Sequence, residues 1–297
     1  MSRRQVASIV IRTLNEARYL GELLESIAAQ ETDGLEVEVV VIDSGSSDGT
    51  LEIARRHGCV ITHITREQFS FGRSLNMGCE VARGDILVLV SGHCVPCDRH
   101  WLRRLCRPIV DGLVSYSYGK QVGGPESRFS ECRIFGKYYP DQSCIPQDGF
   151  FCNNANSAIS REAWERYRFD ESVTGLEDME LARRLCQDGG RVGYVADAAV
   201  YHYHSESWKQ VKRRFEREAL ALQKIMPQIH VRHRDLVRYI ARSIWHDWCH
   251  AWREGVLLVR GWEIVQYRVC QYTGSFKGNR EHRLLSHAEK DKYFYPG

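Results

Sequence analysis

Hydroxyl, amide and carboxylate side chains follow two apolar segments near the start of the chain. They are Thr13, Asn15 and Glu16 after residues 6–11, and Asp43 and Ser44 after residues 37–42. If these segments are parallel strands of one sheet, their carboxyl ends meet at the crevice where α/β proteins bind ligands. A carboxylate at that edge can accept hydrogen bonds from a nucleobase N–H or a ribose hydroxyl. A turn made only of residues that favour turns is the alternative.

Two adjacent carboxylates, Glu177 and Asp178, stand at the start of a predicted helix. Acidic side chains are stabilised in the first turn of any helix, because they face the positive end of its dipole. A carboxylate within hydrogen-bond reach of a substrate hydroxyl can also accept its proton as a general base. The residues alone leave both roles open.

Three histidines could bind phosphate or a metal ion. His93 follows the apolar segment 86–90, and His202 and His204 lie two positions apart. A neutral imidazole binds borderline metals such as Mn²⁺, whereas Mg²⁺ prefers oxygen ligands. Side chains alternate along a strand, so His202 and His204 share a face only if the strand continues through Tyr203. If the strand ends earlier, we expect His202 to face the site, and local packing or capping is the alternative for all three.

Amide and aromatic side chains are concentrated between residues 147 and 157. Such side chains bind sugars by stacking on the ring and by contacts to its hydroxyls. The candidate sugar- or acceptor-binding residues are Asn154, Asn156 and Ser157, and packing of a buried turn is the alternative.

The elements that must position these residues alternate between strands and helices. Between the segments 6–11 and 37–42, apolar residues recur at helical spacing, which predicts a βαβ unit. Continuous apolar strands separated by amphipathic helices predict an α/β fold, with a mostly parallel sheet and helices on both faces. The further predicted helices are 51–57, 75–82, 161–167 and 177–187, and the further strands are 60–63, 85–90 and 191–195. Loops are expected from 112 to 151.

Composition sets limits on the class of protein. The chain has 297 residues, of which 43% are hydrophobic and 27% charged, so whole-chain disorder, collagen and coiled coil are excluded. Eleven scattered cysteines and a start without a signal-peptide pattern predict reduced thiols in the cytoplasm. No apolar segment approaches the roughly 20 residues that span a bilayer, so we expect any membrane contact to be peripheral.

The end of the chain is basic and rich in tryptophan. Residues 201–297 hold 18 Lys and Arg against 10 Asp and Glu, whereas residues 1–200 hold 23 against 28. Long helices are predicted after Ser205, and Trp245, Trp248 and Trp252 recur at spacings of three and four. Such a stripe is more often part of a core than a membrane anchor, so we expect burial. Contact with a membrane surface or a phosphate-bearing acceptor is the alternative.

Taken in order, several segments resemble the inverting nucleotide-sugar glycosyltransferases of family 2, whose catalytic domain has the Rossmann-like GT-A fold. The likeness covers about residues 5–215, and is greatest to bacterial rhamnosyltransferase-type enzymes of surface polysaccharide assembly. The segments that carry it are Thr13-Leu14-Asn15-Glu16, Val41 to Thr50, Phe71-Gly72-Arg73, Asn76-Met77-Gly78, Cys152 to Ile159, Glu177-Asp178 and Val200 to His204.

This resemblance implies roles for the candidate residues. Asp178 would be the general base that deprotonates the acceptor hydroxyl, and Glu177 would help to place the acceptor. Asp43 would hold the nucleobase. The remaining donor-site residues implied are Thr13, Asn15, Glu16 and Ser44 at the nucleoside, and Arg73 and Asn76 at the pyrophosphate or the sugar.

One segment departs from the family pattern. The Asp-x-Asp that binds a divalent metal on the donor diphosphate is replaced by Ser91-Gly92-His93. A metal site here would use His93 with His202, and would favour Mn²⁺ over Mg²⁺. Without a metal, the imidazoles and Arg73 would contact the phosphates directly, since a guanidinium offers paired donors to phosphate oxygens. Metal dependence therefore stays open.

The predicted function is inverting transfer of a sugar from a nucleoside diphosphate to a glycan or lipid-linked acceptor, in surface polysaccharide synthesis. A GT-A domain would span residues 1–205, and a helical region residues 206–297. We expect the protein to act in the cytoplasm, at the inner face of the membrane. We expect no binding of nucleic acid, because no recognised nucleic-acid module is present. The alternatives are a nucleotidyltransferase of sugar phosphates and an inactive scaffold that binds nucleotide sugars. The sequence leaves the oligomeric state open.

Overall fold

The computed structural model describes residues 5–280, which form eight strands and ten helices. The strands are β1 Val6–Thr13, β2 Glu36–Asp43, β3 Val60–His63, β4 Ile86–Ser91, β5 Cys94–Pro96, β6 Tyr116–Gly123, β7 Asn156–Ser160 and β8 Val192–His202. The helices are α1 Ala17–Ala28, α2 Thr50–Arg56, α3 Phe71–Val81, α4 Trp101–Val110, α5 Phe129–Tyr138, α6 Arg161–Tyr167, α7 Glu177–Gln187, α8 Trp208–Ile225, α9 His233–Arg253 and α10 Leu257–Arg280.

All eight strands form one sheet, in the order β3-β2-β1-β4-β7-β6-β8-β5. The first four strands of this order are parallel to one another, whereas β7 is antiparallel to β4 and to β6, and β5 is antiparallel to β8. The α/β class is therefore confirmed, but the sheet is mixed where we predicted a mostly parallel one. A continuous apolar run indicates a strand buried on both faces, and carries no information about the direction in which it pairs.

Helices cover both faces of the parallel part of the sheet, as predicted. Side chains of successive strand residues point to opposite faces. On one face, Ile11 belongs to the main core together with Leu23 of α1 and Leu105 of α4. On the other face, α3 packs against Val10 and Ile42. The register of β1 and β2 sets Thr13 beside Asp43, so the two polar strand ends are neighbours.

Several elements differ in extent from those predicted. The segment 112–151 contains β6 and α5 rather than only loops. Strand β8 continues beyond residue 195 to His202. Helix α3 begins earlier than predicted, at Phe71, because the side chain of Ser70 accepts a hydrogen bond from the backbone N–H of Arg73 and caps the helix.

The described residues divide into two compact units. The first comprises residues 5–122, 139–172 and 177–203 and holds the sheet, and the second comprises 123–138, 173–176 and 204–280. The last division lies close to the boundary proposed from the sequence, between residues 205 and 206. The second unit also takes two segments from earlier in the chain, which a boundary at a single position does not describe.

The second unit is helical. Gly274 and Gly278 of α10 lie against the backbone of α8 near Glu216, where a Cβ would collide, so these helices approach closely. Asp247 of α9 is fully buried and accepts two hydrogen bonds from the Arg268 guanidinium of α10, at 2.7 and 3.0 Å. Helices α8, α9 and α10 are thus joined through α10.

The tryptophans of α9 are exposed, and the expectation that they form part of a core was wrong. Trp245 and Trp252 are 68% and 72% exposed, and Trp248 is 36% exposed. The reason is that the opposite side of α9, with Asp247 and Ala251, makes the packing contacts within this unit. Spacing along a helix defines a stripe, but it does not determine which stripe is covered.

Two expectations about the whole chain can also be compared with the structure. All eleven cysteines are free thiols, as predicted. Among residues 5–280, no helix has the length and apolar character needed to cross a membrane.

Candidate active site

The loops after β1 and β2 are joined at the carboxyl edge of the sheet. The Thr13 hydroxyl donates to Asp43 Oδ1 at 3.1 Å, and the backbone N–H groups of Gly45 and Ser46 each donate to Asp43 Oδ2 at 2.9 Å. Asn15, whose φ is 58°, accepts a backbone N–H from the second loop at 2.9 Å. Five residues that were predicted to bind the nucleotide of the sugar donor therefore lie at this edge, namely Thr13, Asn15, Glu16, Asp43 and Ser44.

Glu16 holds the histidine that replaces the expected carboxylates. Its backbone N–H donates to Thr50 Oγ1 at 2.9 Å, and its Oε1 lies 2.8 Å from His93 Nδ1. Gly92 allows this approach, because a Cβ there would lie only 2.9 Å from Glu16 Cγ. An ionised carboxylate can only accept, so His93 donates from Nδ1 and its Nε2 is the acceptor nitrogen.

His202 lies beside His93. Their ring centroids are 5.0 Å apart, with an angle of 22° between the planes. Gln121 donates from Nε2 to Asn153 at 2.9 Å, and its Oε1 lies 2.6 Å from His202 Nδ1. The amide oxygen therefore accepts the Nδ1 proton, and Nε2 is the acceptor nitrogen of His202 as well.

His204 has a different environment from His202. Strand β8 ends at His202, which is the case in which the sequence favoured His202 for the site. His204 belongs to the second unit, and its Nδ1 lies 2.9 Å from Glu131 Oε1. The Nδ1 atoms of the two histidines thus have different acceptors, an amide oxygen for His202 and a carboxylate for His204.

The donor set around His93 fits a divalent cation with nitrogen ligands. In both histidines the Nδ1 proton is held by an oxygen acceptor, an arrangement that fixes the ring and directs Nε2 outward in metal sites. Imidazole nitrogens suit Mn²⁺ better than Mg²⁺. The carboxylate of Glu16 orients His93, so it supports the imidazole rather than replacing the missing Asp-x-Asp.

A second group of ligand-type side chains lies in the helical unit. Glu131, His204 and Glu206 offer atoms that lie within 4.8 Å of one another. The Arg214 guanidinium is ion-paired with Glu131 at 2.8 Å and with Glu206 at 2.9 Å. Because Arg214 already supplies a positive charge to both carboxylates, this group is a partly buried ionic network around the buried Glu131.

Asp178 is a buried carboxylate at the start of α7. The backbone N–H groups of Asn154 and Met179 donate to its two oxygens at 2.8 and 2.7 Å. Burial, and after it the negative charge of Glu177, raises the pKa of Asp178 to about 7, against a smaller opposing effect of Arg12. A carboxyl group that titrates near neutral pH can exchange protons with a substrate under ordinary conditions.

Arg12 is a candidate site residue that the sequence analysis missed. It precedes Thr13 in β1, and its Nη1 lies 3.3 Å from Glu177 Oε1 and 3.3 Å from the carbonyl oxygen of Phe71. The guanidinium also lies 5.0 Å from the centre of the Phe71 ring. Arg12 thus connects the acid pair to the strand edge. A charged residue at the end of an otherwise apolar strand is the signal that could have revealed it.

Asn154 lies beside the acid pair. Besides the backbone bond to Asp178, its Oδ1 accepts from the Tyr116 hydroxyl at 2.5 Å and from Ser157 Oγ at 2.9 Å. Its buried Nδ2 has no hydrogen-bond partner among the described residues. An amide donor next to a candidate base can contact a hydroxyl of the substrate, so Asn154 remains a candidate sugar- or acceptor-binding residue.

Asn156 and Ser157 lie in the core instead. Both are fully buried in β7. Asn156 accepts from Trp101 Nε1 at 2.8 Å and donates to the carbonyl oxygens of Lys120 and Ala198. The packing role, which the sequence left as the alternative, therefore describes these two residues, because Asn156 bonds to α4, β6 and β8 and the Ser157 hydroxyl bonds to the buried Asn154.

Arg73 and Asn76 of α3 both contact Glu171. Arg73 Nε lies 2.7 Å from Glu171 Oε2, and both side chains are partly exposed. Asn76 is buried, donates to Glu171 and to the carbonyl of Phe169, and accepts from Trp164 Nε1 and from the Phe169 N–H. Both the N–H groups and the oxygen of the Asn76 amide are thus occupied, and none is left to bind a nucleotide sugar. Arg73 remains accessible.

Comparisons with known proteins identify the family. The model of glycosyl transferase family 2 matches residues 8–168, and that of glycosyl transferase family group 2 matches residues 133–269. The O-antigen chain rhamnosyltransferase RfbN of Salmonella typhimurium is 23% identical over 220 residues, which are 70% of this chain and 69% of that protein. The glycosyltransferase AglE of Haloferax volcanii is 35% identical over 122 residues, 37% of this chain and 40% of that protein.

A solved structure shows the same fold. The mannosyltransferase PcManGT from Pyrobaculum calidifontis, in complex with GDP-Man and Mn²⁺, aligns with a TM-score of 0.63 at 19% sequence identity. The alignment covers 94% of this chain and 89% of that one. Similarity at this level of identity concerns the fold, and the chemistry has to be argued from the site.

Proposed function

The chain belongs to glycosyltransferase family 2 and has the GT-A fold, and we propose that it transfers a sugar from a nucleoside diphosphate to an acceptor hydroxyl with inversion at the anomeric carbon. The observation that carries this proposal is Asp178, a buried carboxylate whose pKa is raised to about 7. It lies in the same unit as the joined loops of β1 and β2. The rivals, a nucleotidyltransferase and an inactive scaffold, find no support in the comparisons.

Asp178 acts as the general base in this proposal. Its carboxylate accepts the proton of the acceptor hydroxyl while that oxygen attacks the anomeric carbon. The bond between that carbon and the diphosphate oxygen breaks on the opposite face, which inverts the configuration. Glu177, held by Arg12, positions the acceptor, and the amide of Asn154 binds a hydroxyl next to the base.

The nucleoside of the donor binds at the joined loops of β1 and β2. Asp43 accepts a hydrogen bond from the base, in addition to those that hold its loop, because each carboxylate oxygen has two lone pairs. The other residues proposed to line this part of the site are Thr13, Asn15, Glu16 and Ser44.

The diphosphate binds near His93, His202 and Arg73. We propose that the two histidines hold Mn²⁺ through their Nε2 atoms, as their Nδ1 partners favour. When bound, such a cation neutralises the negative charge that develops on the departing diphosphate. Arg73 adds paired N–H donors to the phosphate oxygens once it leaves Glu171.

The relatives support a role in surface polysaccharide synthesis. RfbN is a rhamnosyltransferase of O-antigen chains, so we propose a hexose or deoxyhexose as the sugar, and a glycan or lipid-linked acceptor. The reaction would take place in the cytoplasm, at the inner face of the membrane.

The variant Asp178→Asn tests the base. We expect transfer to fall by about 10²- to 10⁴-fold, the usual contribution of general base catalysis, while the unfolding midpoint shows that the variant is folded. Glu180→Gln is the matched control, since Glu180 lies in the same helix, is also buried, and pairs with Arg184. Near wild-type transfer by folded Asp178→Asn would assign the base elsewhere.

Thermal shifts with UDP, dTDP, GDP and CMP, each with Mn²⁺ or with EDTA, identify the donor and the metal. Ligand at about 100 times its dissociation constant stabilises the folded state by about 2.7 kcal/mol. We expect one nucleoside diphosphate to raise the unfolding temperature only in the presence of Mn²⁺, and we expect His93→Ala to abolish that shift. Stabilisation that survives EDTA would remove the metal from the proposal, and no shift with any nucleotide would favour the scaffold.

A further inference from the structure

The turn between α9 and α10 carries an exposed apolar surface. We name it the tryptophan surface, and its six residues range from 36% exposed for Trp248 to 98% for Leu258. It is continuous across the two helices, because Trp248 Nε1 donates to the carbonyl oxygen of Gly261 at 3.1 Å. Its members are Trp245, Trp248 and Trp252 of α9 and Leu258, Val259 and Trp262 of α10.

This surface is held outward by the packing on the other side of the helices. Asp247 is fully buried and bound by Arg268, and Ser130 of α5 donates to the same carboxylate at 2.6 Å. Ala251 and Ile264 are also fully buried. Turning the tryptophans inward would break this buried ion pair, so their exposure is a stable property of the helical unit.

Positive charges flank the tryptophan surface. Arg238 and Arg242 precede Trp245 by seven and three positions, so they lie on the same side of α9. Arg253 follows Trp252, and all three arginines are exposed. The acids near the turn are Glu254, which is exposed, and Glu263, which is paired with Arg260 at 2.9 Å. The arginines therefore leave a net positive rim.

We propose that the tryptophan surface docks the protein on an anionic phospholipid bilayer, with α9 and the start of α10 lying in the interface. Tryptophan is favoured at the boundary between headgroups and acyl chains, where its ring is buried and its N–H stays near water. The arginines attract anionic headgroups. The same arginines disfavour a second copy of this chain as the occupant, because they would face each other. This docking is independent of the transfer reaction.

Co-sedimentation of the full chain with vesicles tests the proposal, without any donor or acceptor. We expect binding to vesicles of phosphatidylcholine and phosphatidylglycerol that is about tenfold stronger than to phosphatidylcholine alone, because anionic lipid adds attraction to each arginine. Tryptophan fluorescence should shift to shorter wavelength on binding.

Two variants locate the contact. Leu258→Glu and the double variant Trp245→Ser/Trp252→Ser should each weaken vesicle binding by about tenfold or more, since each removes apolar area from the interface. Leu113→Glu is the control, because Leu113 is a 44% exposed leucine of the first unit. Unfolding midpoints near that of the wild type confirm that the variants are folded.

Three results would overturn the proposal. The first is wild-type protein that does not bind anionic vesicles. The second is equal binding by the wild type and both variants. The third is self-association in light scattering that the variants abolish while vesicle binding is unchanged, which would make a second copy of the chain the occupant. Because no donor is present, a failure of docking leaves the proposed transfer reaction unaffected.

Discussion

Asp178 in the first unit and Glu131 in the helical unit are buried carboxylates that are held in opposite ways. In the first unit, Asp178 lies next to Glu177, and its hydrogen-bond donors among residues 5–280 are backbone N–H groups. In the helical unit, Glu131 contacts the guanidinium of Arg214 at 2.8 Å and the ring of His204 at 2.9 Å. Both side chains are almost entirely shielded from water.

The difference in partners shifts the pKa values of the two carboxyl groups in opposite directions. Burial raises the pKa of Asp178 to about 7, and Glu177 adds to the effect. Burial also opposes ionisation of Glu131, but His204 and Arg214 outweigh it and lower the pKa of Glu131 to about 2. A buried carboxylate with a cation in contact stays ionised and anchors the fold. One without such a cation can take up a proton near neutral pH, as a general base must.

Glu131→Ala should produce the largest change in stability. Removing this buried carboxylate leaves Arg214 and His204, whose side chains are 17% and 14% exposed, with one partner fewer. Breaking a buried pair in this way costs about 3–5 kcal/mol. Urea unfolding at pH 7 measures the loss. Glu126→Ala, at an exposed position of the same segment, is the control. A loss below about 1 kcal/mol would show that Glu131 is not an anchor.

The pH dependence of stability should have opposite signs for the two acids. The pKa of Glu131 is about 2 in the folded state against 4.5 for the free group, so its contribution is complete above pH 4.5 and is lost as the pH falls to 2. The pKa of Asp178 is about 7 against 3.8, so the folded state binds more protons between those values and loses stability as the pH rises through them. The Glu131 window amounts to about 3 kcal/mol.

Urea unfolding from pH 3 to pH 8 covers the upper part of the Glu131 window and the whole of the Asp178 window. In Glu131→Gln, stability should fall less steeply on acidification below pH 4.5. In Asp178→Asn, stability should fall less steeply than in the wild type as the pH rises from 4 to 7. Unchanged slopes in both variants would mean that the contrast between the two carboxylates does not exist in solution.

The rate of transfer should rise with pH around 7, because only the ionised form of Asp178 can accept a proton. Glu177→Gln removes a neighbouring negative charge, so the rising limb of the pH–rate profile should move about one pH unit lower. Arg12→Gln removes a positive charge and should move it to higher pH. Profiles of kcat/KM measure both shifts, and movement of both limbs in the same direction would contradict the assignment.

The exposed pair of Arg73 and Glu171 should contribute least to stability. Both side chains are about half exposed, so Arg73→Gln should change the free energy of unfolding by less than about 1 kcal/mol. If Arg73 contacts the diphosphate, the KM for the donor should nevertheless rise. An unchanged KM would leave Arg73 with the surface role of an ordinary ion pair.

Much of the architecture could be predicted from local patterns. Strand β3 and helices α6 and α7 have the bounds that their periodicity indicates, since apolar spacing and capping act between near neighbours in the chain. The two polar loops that we propose for the donor were also predicted, because both follow parallel strands. Asn76 and Asn156 were assigned to ligands, whereas their amides are used in the core. The amide side chain shows what an asparagine can bind. Which partners it does bind depends on segments that are distant in the sequence.

The sequence by itself determined the α/β class, the polar ends of β1 and β2, and the carboxylate pair at the start of α7, because these follow from residues close together in the chain. Only the tertiary structure decided which polar residues are accessible and which carboxylate is left without a cation. It paired Glu131 with Arg214 and His204, left Asp178 to backbone donors, and turned the tryptophans of α9 outward. Burial and charge at a site are sums over residues that are distant in sequence, so they exist only once the chain has folded.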